Sequence, residues 1–296
     1  MTDGIINVNK PAGWTSQDVC SKLRHVLKIK KIGHTGTLDP MATGVLPVCI
    51  GKATRIIEYY DKDTKSYHAS MKLGITTDTL DITGKVLETA GCSKVSEKDV
   101  REAFKAYTGH VMQIPPKYSA LKIDGRRAYD LAREGRDFEI RPREIIIYEN
   151  SVTKIDLASG EIEFDVTCSK GTYIRTICDD IGRELGCGAV MTALTRTASG
   201  YFRIEDSYTI EEIMIEADPL NNMLIPADIT LEKLGKIVLN DNRITAFMNG
   251  NSSWSNGFRI TETSSFDKMY RVYGNNSFLG VAEIENGSLV PKKVIK

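Results

Sequence analysis

Apolar positions along this chain follow two periods, and the switches between them predict its elements. Residues 4–9, GIINVN, read as a strand that stops at the turn-forming N-K-P-A-G. A helix follows, with Ser16 as its N-cap. Val19, Leu23, Val26 and Leu27 recur at helical spacing and leave the lysines and Arg24 on the other side. The stretch 33–44, GHTGTLDPMATG, is too rich in glycine, threonine and proline for a regular element and predicts a structured loop. VLPVCIG is then a short buried strand, and Ala53, Ile56, Ile57 and Tyr60 mark a short helix. In SYHASMKLG the period is two: Tyr67, Ala69, Met71 and Leu73 take one face, His68, Ser70 and Lys72 the other.

Ser96 begins a helix whose Val100, Phe104 and Tyr107 share a face, with Gly109 placed to end it. Residues 113–147 read as loop-like, with Lys117, Lys122, Arg126 and Arg127 interleaved with Tyr118 and Tyr129. EIEFDVTC (161–168) alternates again, and a helix over 172–185 carries Ile174, Ile177, Ile181 and Leu185 ahead of Gly186. From about residue 236 the texture changes to short strands and turns: KIVLND, FRITET, DKMYRVY and FLGVAEIENGSLVPKKVI, with turn signals at Gly274-Asn275 and Asn286-Gly287. The expected fold class is therefore α+β. A largely antiparallel sheet with flanking helices fills 1–230, and a small β-rich module fills 236–296.

Composition adds three constraints. No apolar run approaches the roughly 18 residues of a membrane span, and MTDGIINVNKPAG has no secretory or transit pattern, so the expectation is a cytoplasmic protein with no membrane partner. The cysteines form no C-x-x-C pair, which argues against a zinc ribbon or a thioredoxin-like site and predicts reduced thiols in or near the core. The 39 basic and 39 acidic side chains cancel, but unevenly. Residues 20–31 hold Lys22, Arg24, Lys28, Lys30 and Lys31 with no acid, whereas 204–232 hold eight acids and no base. Such asymmetry suggests a basic face toward phosphate.

The loop 33–44 is the first place to look for chemistry. Gly33, Gly36 and Gly44 permit unusual backbone geometry, and Thr35, Thr37 and Thr43 surround one carboxylate, Asp39. Neither a Walker loop nor a G-x-G-x-x-G helix start is present. On spacing alone, an Asx-turn role for an Asp before Pro stands ahead of catalysis.

Longer motifs change that balance. KPAGWTS (10–16) and GHTGTLDPMATGVLP (33–47), with KSY (65–67), LGITTDTLDITG (73–84), QIPPKYSALKIDG (113–125) and CSKGTYIR (168–175), resemble the signature of TruB-type pseudouridine synthases. The tail from about 236 resembles a PUA-like RNA-binding module more loosely. The resemblance implies isomerisation of uridine to pseudouridine in the T-arm loop of tRNA (position 55), with the target base flipped out of its stack. It implies Asp39 as the nucleophile, whether by attack on the ribose carbon or by a proton-abstracting route, and Arg175 as its cationic partner. Tyr67 and Tyr173 match base-holding positions, and His34 and Leu194 match residues beside the extruded nucleotide. Lys10 falls in the active-site wall. Lys117, Lys122, Arg126 and Arg127 belong to a mobile insertion that grips RNA and orders on binding. No metal or redox cofactor is implied, nor an obligate protein partner.

Read without the family, Arg175 is an exposed helix residue and the two tyrosines are core. Three rivals are disfavoured: a guide-RNA-dependent synthase subunit, by the short C-terminal module and ample insertion; a non-catalytic RNA-binding factor, by the intact Asp39, Tyr67 and Arg175; and a zinc base deaminase. The last lacks its H-x-E and P-C-x-x-C signatures.

Overall fold

A computed structural model describes residues 3–60, 64–264 and 268–295, which fall into two compact units. One lies within Met1–Pro40, Gly44–Lys62 and Gly200–Lys296, the other within Met41–Thr43 and Asp63–Ser199.

In the first unit the strand Gly4–Lys10 pairs antiparallel with Thr43–Ile50, and Ile32–His34 pairs with the same strand. The loop 33–44 is thus shorter than its glycine content suggests, since Gly33 and His34 belong to a strand. Gly33 sits in tight packing, where an added Cβ would lie 3.2 Å from Ile57 Cδ1, and among the loop glycines only Gly44 takes a left-handed φ, 96°. The helix Ser16–Leu27 packs Val19, Cys20 and Leu23 against Ile6, Val8, Leu46 and Val48. Its N-cap is Thr15, one residue before the position expected. Thr15 and Asp18 form a capping box, with Asp18 N donating to Thr15 Oγ1 at 3.0 Å and Thr15 N to Asp18 Oδ2 at 2.8 Å. The short helix after VLPVCIG begins as a 3-10 turn, Gly51–Ile56, and continues as Ile57–Tyr60.

The same unit holds the C-terminal β-rich module. Its strands follow the spatial order Ser253–Trp254, Ser288–Val294, Ser277–Glu285, Met269–Gly274, Gly235–Leu239, Phe258–Glu262. A helix over Asp241–Met248, not predicted from the sequence, covers the module through Phe247, which is fully buried beside Ile237, Val272 and Leu289. Asp267, the first residue of the expected strand DKMYRVY, lies outside the described residues.

In the second unit five antiparallel strands are ordered Ala189–Ser199, Lys65–Leu73, Glu161–Cys168, Arg143–Asp156, Gly109–Gln113. Lys65–Leu73, paired on both edges, alternates strictly between buried and half-buried positions, as its period-two pattern predicts. Helices Glu97–Ala106 and Ile174–Glu184 belong to this unit, and Ser96 caps the former with a second capping box. The α+β class is thus observed, with a β-rich C-terminal domain. All six cysteines are free thiols; Cys92 is half-buried and the rest are buried.

Candidate active site

The local geometry around Asp39 follows from the N-terminal motif. Lys10 ends its strand fully buried, and its ammonium donates to the carbonyls of Pro11 (2.9 Å), Trp14 (2.6 Å) and Pro40 (3.1 Å). Gly13 N donates to the same Pro40 carbonyl at 2.8 Å. On the other side, Leu38 N donates to Ser16 Oγ at 2.9 Å. With Thr15 serving as the helix cap, the Ser16 hydroxyl is committed to the loop. Both neighbours of Asp39 are therefore held through their backbones, and the half-buried Asp39 side chain is carried between two clamps. His34 is half-buried on its short strand opposite Val48, and Thr35 N continues the pairing to Pro47 O at 3.1 Å.

In the second unit Tyr67 and Leu194 are both buried on adjacent strands, where the register sets Leu194 against Ala69 and Arg196 against Tyr67. Thr43 Oγ1 lies 2.8 Å from Thr195 Oγ1 beside them. Arg196 is one of the largest fully buried side chains and was missed in the sequence; a basic residue on an alternating strand gave no signal of burial.

Arg175 is 4% exposed, so it is not a solvated helix residue. Nη1 donates to Thr79 O at 2.9 Å, Nη2 to Tyr118 O at 3.0 Å, and Nη1 stands 3.6 Å from Asp81 Oδ2. Asp81 was also missed as a site residue. Its carboxylate accepts from Thr79 Oγ1 (2.9 Å), Thr83 N (3.0 Å) and Thr83 Oγ1 (2.5 Å), which explains the threonine density of LGITTDTLDITG. A planar guanidinium with several fixed acceptors keeps its direction as well as its charge.

Tyr173 is the N-cap of the helix Ile174–Glu184 and is half-buried. The fully buried Gln113 clasps its backbone: Nε2 donates to Tyr173 O at 3.1 Å and Oε1 accepts from Tyr173 N at 2.8 Å. The Arg143 guanidinium lies 4.9 Å from the centre of the Tyr173 ring and donates to Gly171 O.

The segment 113–147 is more ordered than a loop. Its ends are sheet, since Gly109–Gln113 pairs with Arg143–Ile147, and only 114–142 leaves it. Within that excursion, Lys122–Ile123 and Arg126–Arg127 form a hairpin that precedes the helix Ala128–Arg133. Lys117, Lys122, Arg126 and Arg127 are all exposed; Arg126 pairs with Glu134, and Arg127 lies 5.8 Å from the Tyr129 ring centre. A cleft of about 990 Å³ in the second unit is lined by Ile114, Pro116, Tyr118, Thr176 and Arg183 among others, and Lys117 is the one residue predicted from sequence that touches it. Of the basic run 20–31, Arg24 is committed to Ile32 O at 2.7 Å, whereas Lys28, Lys30 and Lys31 are exposed. No helix among the described residues is long and apolar enough to cross a membrane.

The fold that carries these residues has counterparts among solved structures. The crystal structure of a Cbf5-Nop10-Gar1 complex matches at a TM-score of 0.75 and 25% identity, covering 99% of this chain and 85% of that one. An H/ACA RNP bound to a substrate RNA containing 2′-deoxyuridine gives the same score and coverages at 23% identity. The fold is that of the pseudouridine synthases, which are isomerases. The model for the TruB family pseudouridylate synthase N-terminal domain matches residues 24–174, that for the tRNA pseudouridylate synthase B C-terminal domain 175–232, and that for the TruB pseudouridine synthase II C-terminal domain 235–295. Proteins called tRNA pseudouridine synthase B are similar over nearly their whole length. That of Clostridium kluyveri is 44% identical over 94% of both chains, and that of Clostridium perfringens 41% over 99% of both. The chain belongs to the TruB family of pseudouridylate synthases.

Proposed function

We propose that this enzyme isomerises uridine to pseudouridine at position 55 in the T-arm loop of tRNA, with Asp39 as the nucleophile and Arg175 as its cationic partner. The observation that carries the reading is the double clamp on Asp39, through Ser16 to Leu38 and through Lys10 and Gly13 to Pro40. A nucleophile must meet its target in one geometry, and backbone anchors on both sides supply that orientation before substrate arrives. The names of the relatives support tRNA as the substrate class.

In the proposed reaction the C1′–N1 bond of uridine breaks as the Asp39 carboxylate takes the sugar. The freed uracil turns, C5 bonds to C1′ and releases the carboxylate, and the C5 proton is lost while N1 gains one. The atoms are the same before and after, so the scheme calls for no cofactor. A base inside the T-arm must leave its stack, at a cost of a few kcal/mol. Tyr67, Tyr173 and Leu194 would offset that cost against the base, with His34 filling space near the extruded nucleotide and Lys10 supporting the wall. Lys117, Lys122, Arg126 and Arg127 would contact phosphate, as would the module 236–296, so that stem-loop shape selects the RNA. The reading places the enzyme in the cytoplasm, acting without an obligate protein partner.

Incubation of the pure protein with an unmodified tRNA transcript should yield pseudouridine at position 55. Asp39→Asn should lower the single-turnover rate on the order of ten-thousandfold or more while RNA affinity stays within a few fold. Ready turnover by that variant would refute the assignment of Asp39.

A further inference from the structure

Gln113 and Arg143 are cross-strand partners in the second unit's sheet, the former the last residue before the excursion 114–142 and the latter the first after it. Both reach toward the same residue. Gln113 uses both polar atoms of its amide on the backbone of Tyr173, while Arg143 lies over the Tyr173 ring and bonds Gly171 O two residues earlier. A fully buried amide that bonds one residue's N–H and C=O together, besides its interaction with the Tyr107 hydroxyl, fixes where that residue's Cα sits. A cation over the ring limits how the ring can turn about it. Two separate restraints on one half-buried tyrosine, at the start of the helix that carries Arg175, are more than helix initiation requires. Tyr173 as N-cap makes no side-chain capping bond, so the Gln113 clasp takes the place of a local cap.

We infer that Gln113 and Arg143 are positioning residues for Tyr173: Gln113 sets the place of its backbone, Arg143 the plane of its ring, and together they present that ring to the target base. The inference rests on the proposed role of Tyr173 in holding the base. Because both residues stand where the RNA-contacting excursion leaves and rejoins the sheet, the ring that meets the base and the segment that meets phosphate share one root.

The test is a double-mutant cycle on single-turnover pseudouridine formation in full-length protein at saturating tRNA transcript. Gln113→Leu removes both clasp bonds with little change in volume, and a displaced positioning group costs on the order of a hundredfold in rate. We expect such a loss, RNA affinity within a few fold of wild type, and strong non-additivity with Tyr173→Ala, which removes the ring that Gln113 is inferred to place. Arg143→Met should lose rate in the same non-additive way. Additive losses, or a wild-type rate in Gln113→Leu, would overturn the inference. Should Gln113→Leu not fold, Gln113→Glu decides. Its protonated acid can accept from Tyr173 N and donate to Tyr173 O like the amide, whereas its carboxylate opposes the Tyr173 carbonyl. The ratio of variant to wild-type rate should therefore climb as pH falls, and a ratio independent of pH counts against the clasp. Wild-type protein that makes no pseudouridine in this assay would instead refute the proposed function, which keeps the two failures apart.

Discussion

At the scale of single residues, KPAGWTS shows what a motif does that no one of its letters reveals. Thr15 caps the helix, Ser16 holds Leu38, and Lys10 draws three carbonyls together, one of them that of Pro40. Sequence periodicity located the helix but shifted its cap by one residue, because Thr and Ser are both good N-caps and only Asp18, three residues after Thr15, selects between them. Burial of Lys10 and Arg175 had no periodic signal at all, since charged side chains are placed inside by partners and not by hydrophobicity. Three partners of Lys10 are backbone carbonyls, which no residue pattern announces. Lys10→Met should test the clamp. It keeps an unbranched side chain of similar reach but takes the ammonium donor from the Pro11 and Trp14 carbonyls, while Pro40 O keeps Gly13 N; an acceptor left unmade costs at most about 1–3 kcal/mol, offset in part by removal of a buried charge. The expected result is a modest loss of thermal stability with a fall of about tenfold or more in single-turnover rate, as the loop around Asp39 loosens. RNA affinity, measured by filter binding, should hold. A wild-type rate in a folded Lys10→Met protein would show that Ser16 and Gly13 alone hold the loop.

At the scale of elements, the strands with strict alternation were legible and the mixed segments were not. Lys65–Leu73 matched its pattern at every position, because a one-residue slip would turn its apolar set away from the core. The excursion 114–142 read as loop because its pieces are short, yet Asp124-Gly125 is among the strongest hairpin signals, and both residues take positive φ, 50° and 83°. The helix Asp241–Met248 was overlooked because it buries little beyond Phe247 and offers no long apolar stripe. In the helix Ile174–Glu184, which carries Arg175, a measurable strain is electrostatic. Burial pushes the Asp180 carboxyl above its usual range, against the opposing pull of the Tyr107 hydroxyl, 2.8 Å away, and of Arg183. A carboxyl raised on folding favours the native state only while protonated, and that contribution disappears as pH rises through the folded value. Once ionised, Asp180 is thus a liability. Asp180→Asn keeps an acceptor for Tyr107 and removes the charge, so it should raise the melting temperature at pH 7. The gain should shrink as pH falls through the folded value and the wild-type acid becomes protonated. A variant that melts lower at pH 7, or a gain that persists unchanged in acid, would contradict the upward direction of the shift.

For the whole molecule, the tail from about residue 236 was legible as a β-rich module from its turns, and the family models change at nearly the same place. Its packing partners were not legible, because they lie far away in sequence. Within the first unit, Val281 is fully buried in one apolar cluster with Ile5, Val45, Cys49, Ile56 and Tyr60, and Phe278, Met269 and Ile295 pack against it. Arg55 donates to Val294 O at 2.8 Å, and Lys293 pairs with Glu58 at 2.9 Å. A tail bound only to RNA could be cut away with loss of affinity alone. This one shares a core with the strands and helices that precede and follow the Asp39 loop. Burying one such aliphatic or aromatic side chain is worth about 1.5–3 kcal/mol, and domains have only about 5–15 kcal/mol in total, so uncovering four at once removes much of the margin. Deletion of residues 236–296 should therefore lower the melting temperature sharply and expose apolar surface to a dye such as ANS, with turnover lost as folding is lost. The RNA contacts proposed for the module are better tested in the full chain. Trp254 is 70% exposed on its surface, and Trp254→Ala should leave the melting temperature unchanged whatever it does to binding. A truncated protein that melts like the full chain, binds no dye and turns over saturating RNA at the full-length rate would show that the shared cluster contributes little and that the tail is a detachable RNA-binding domain.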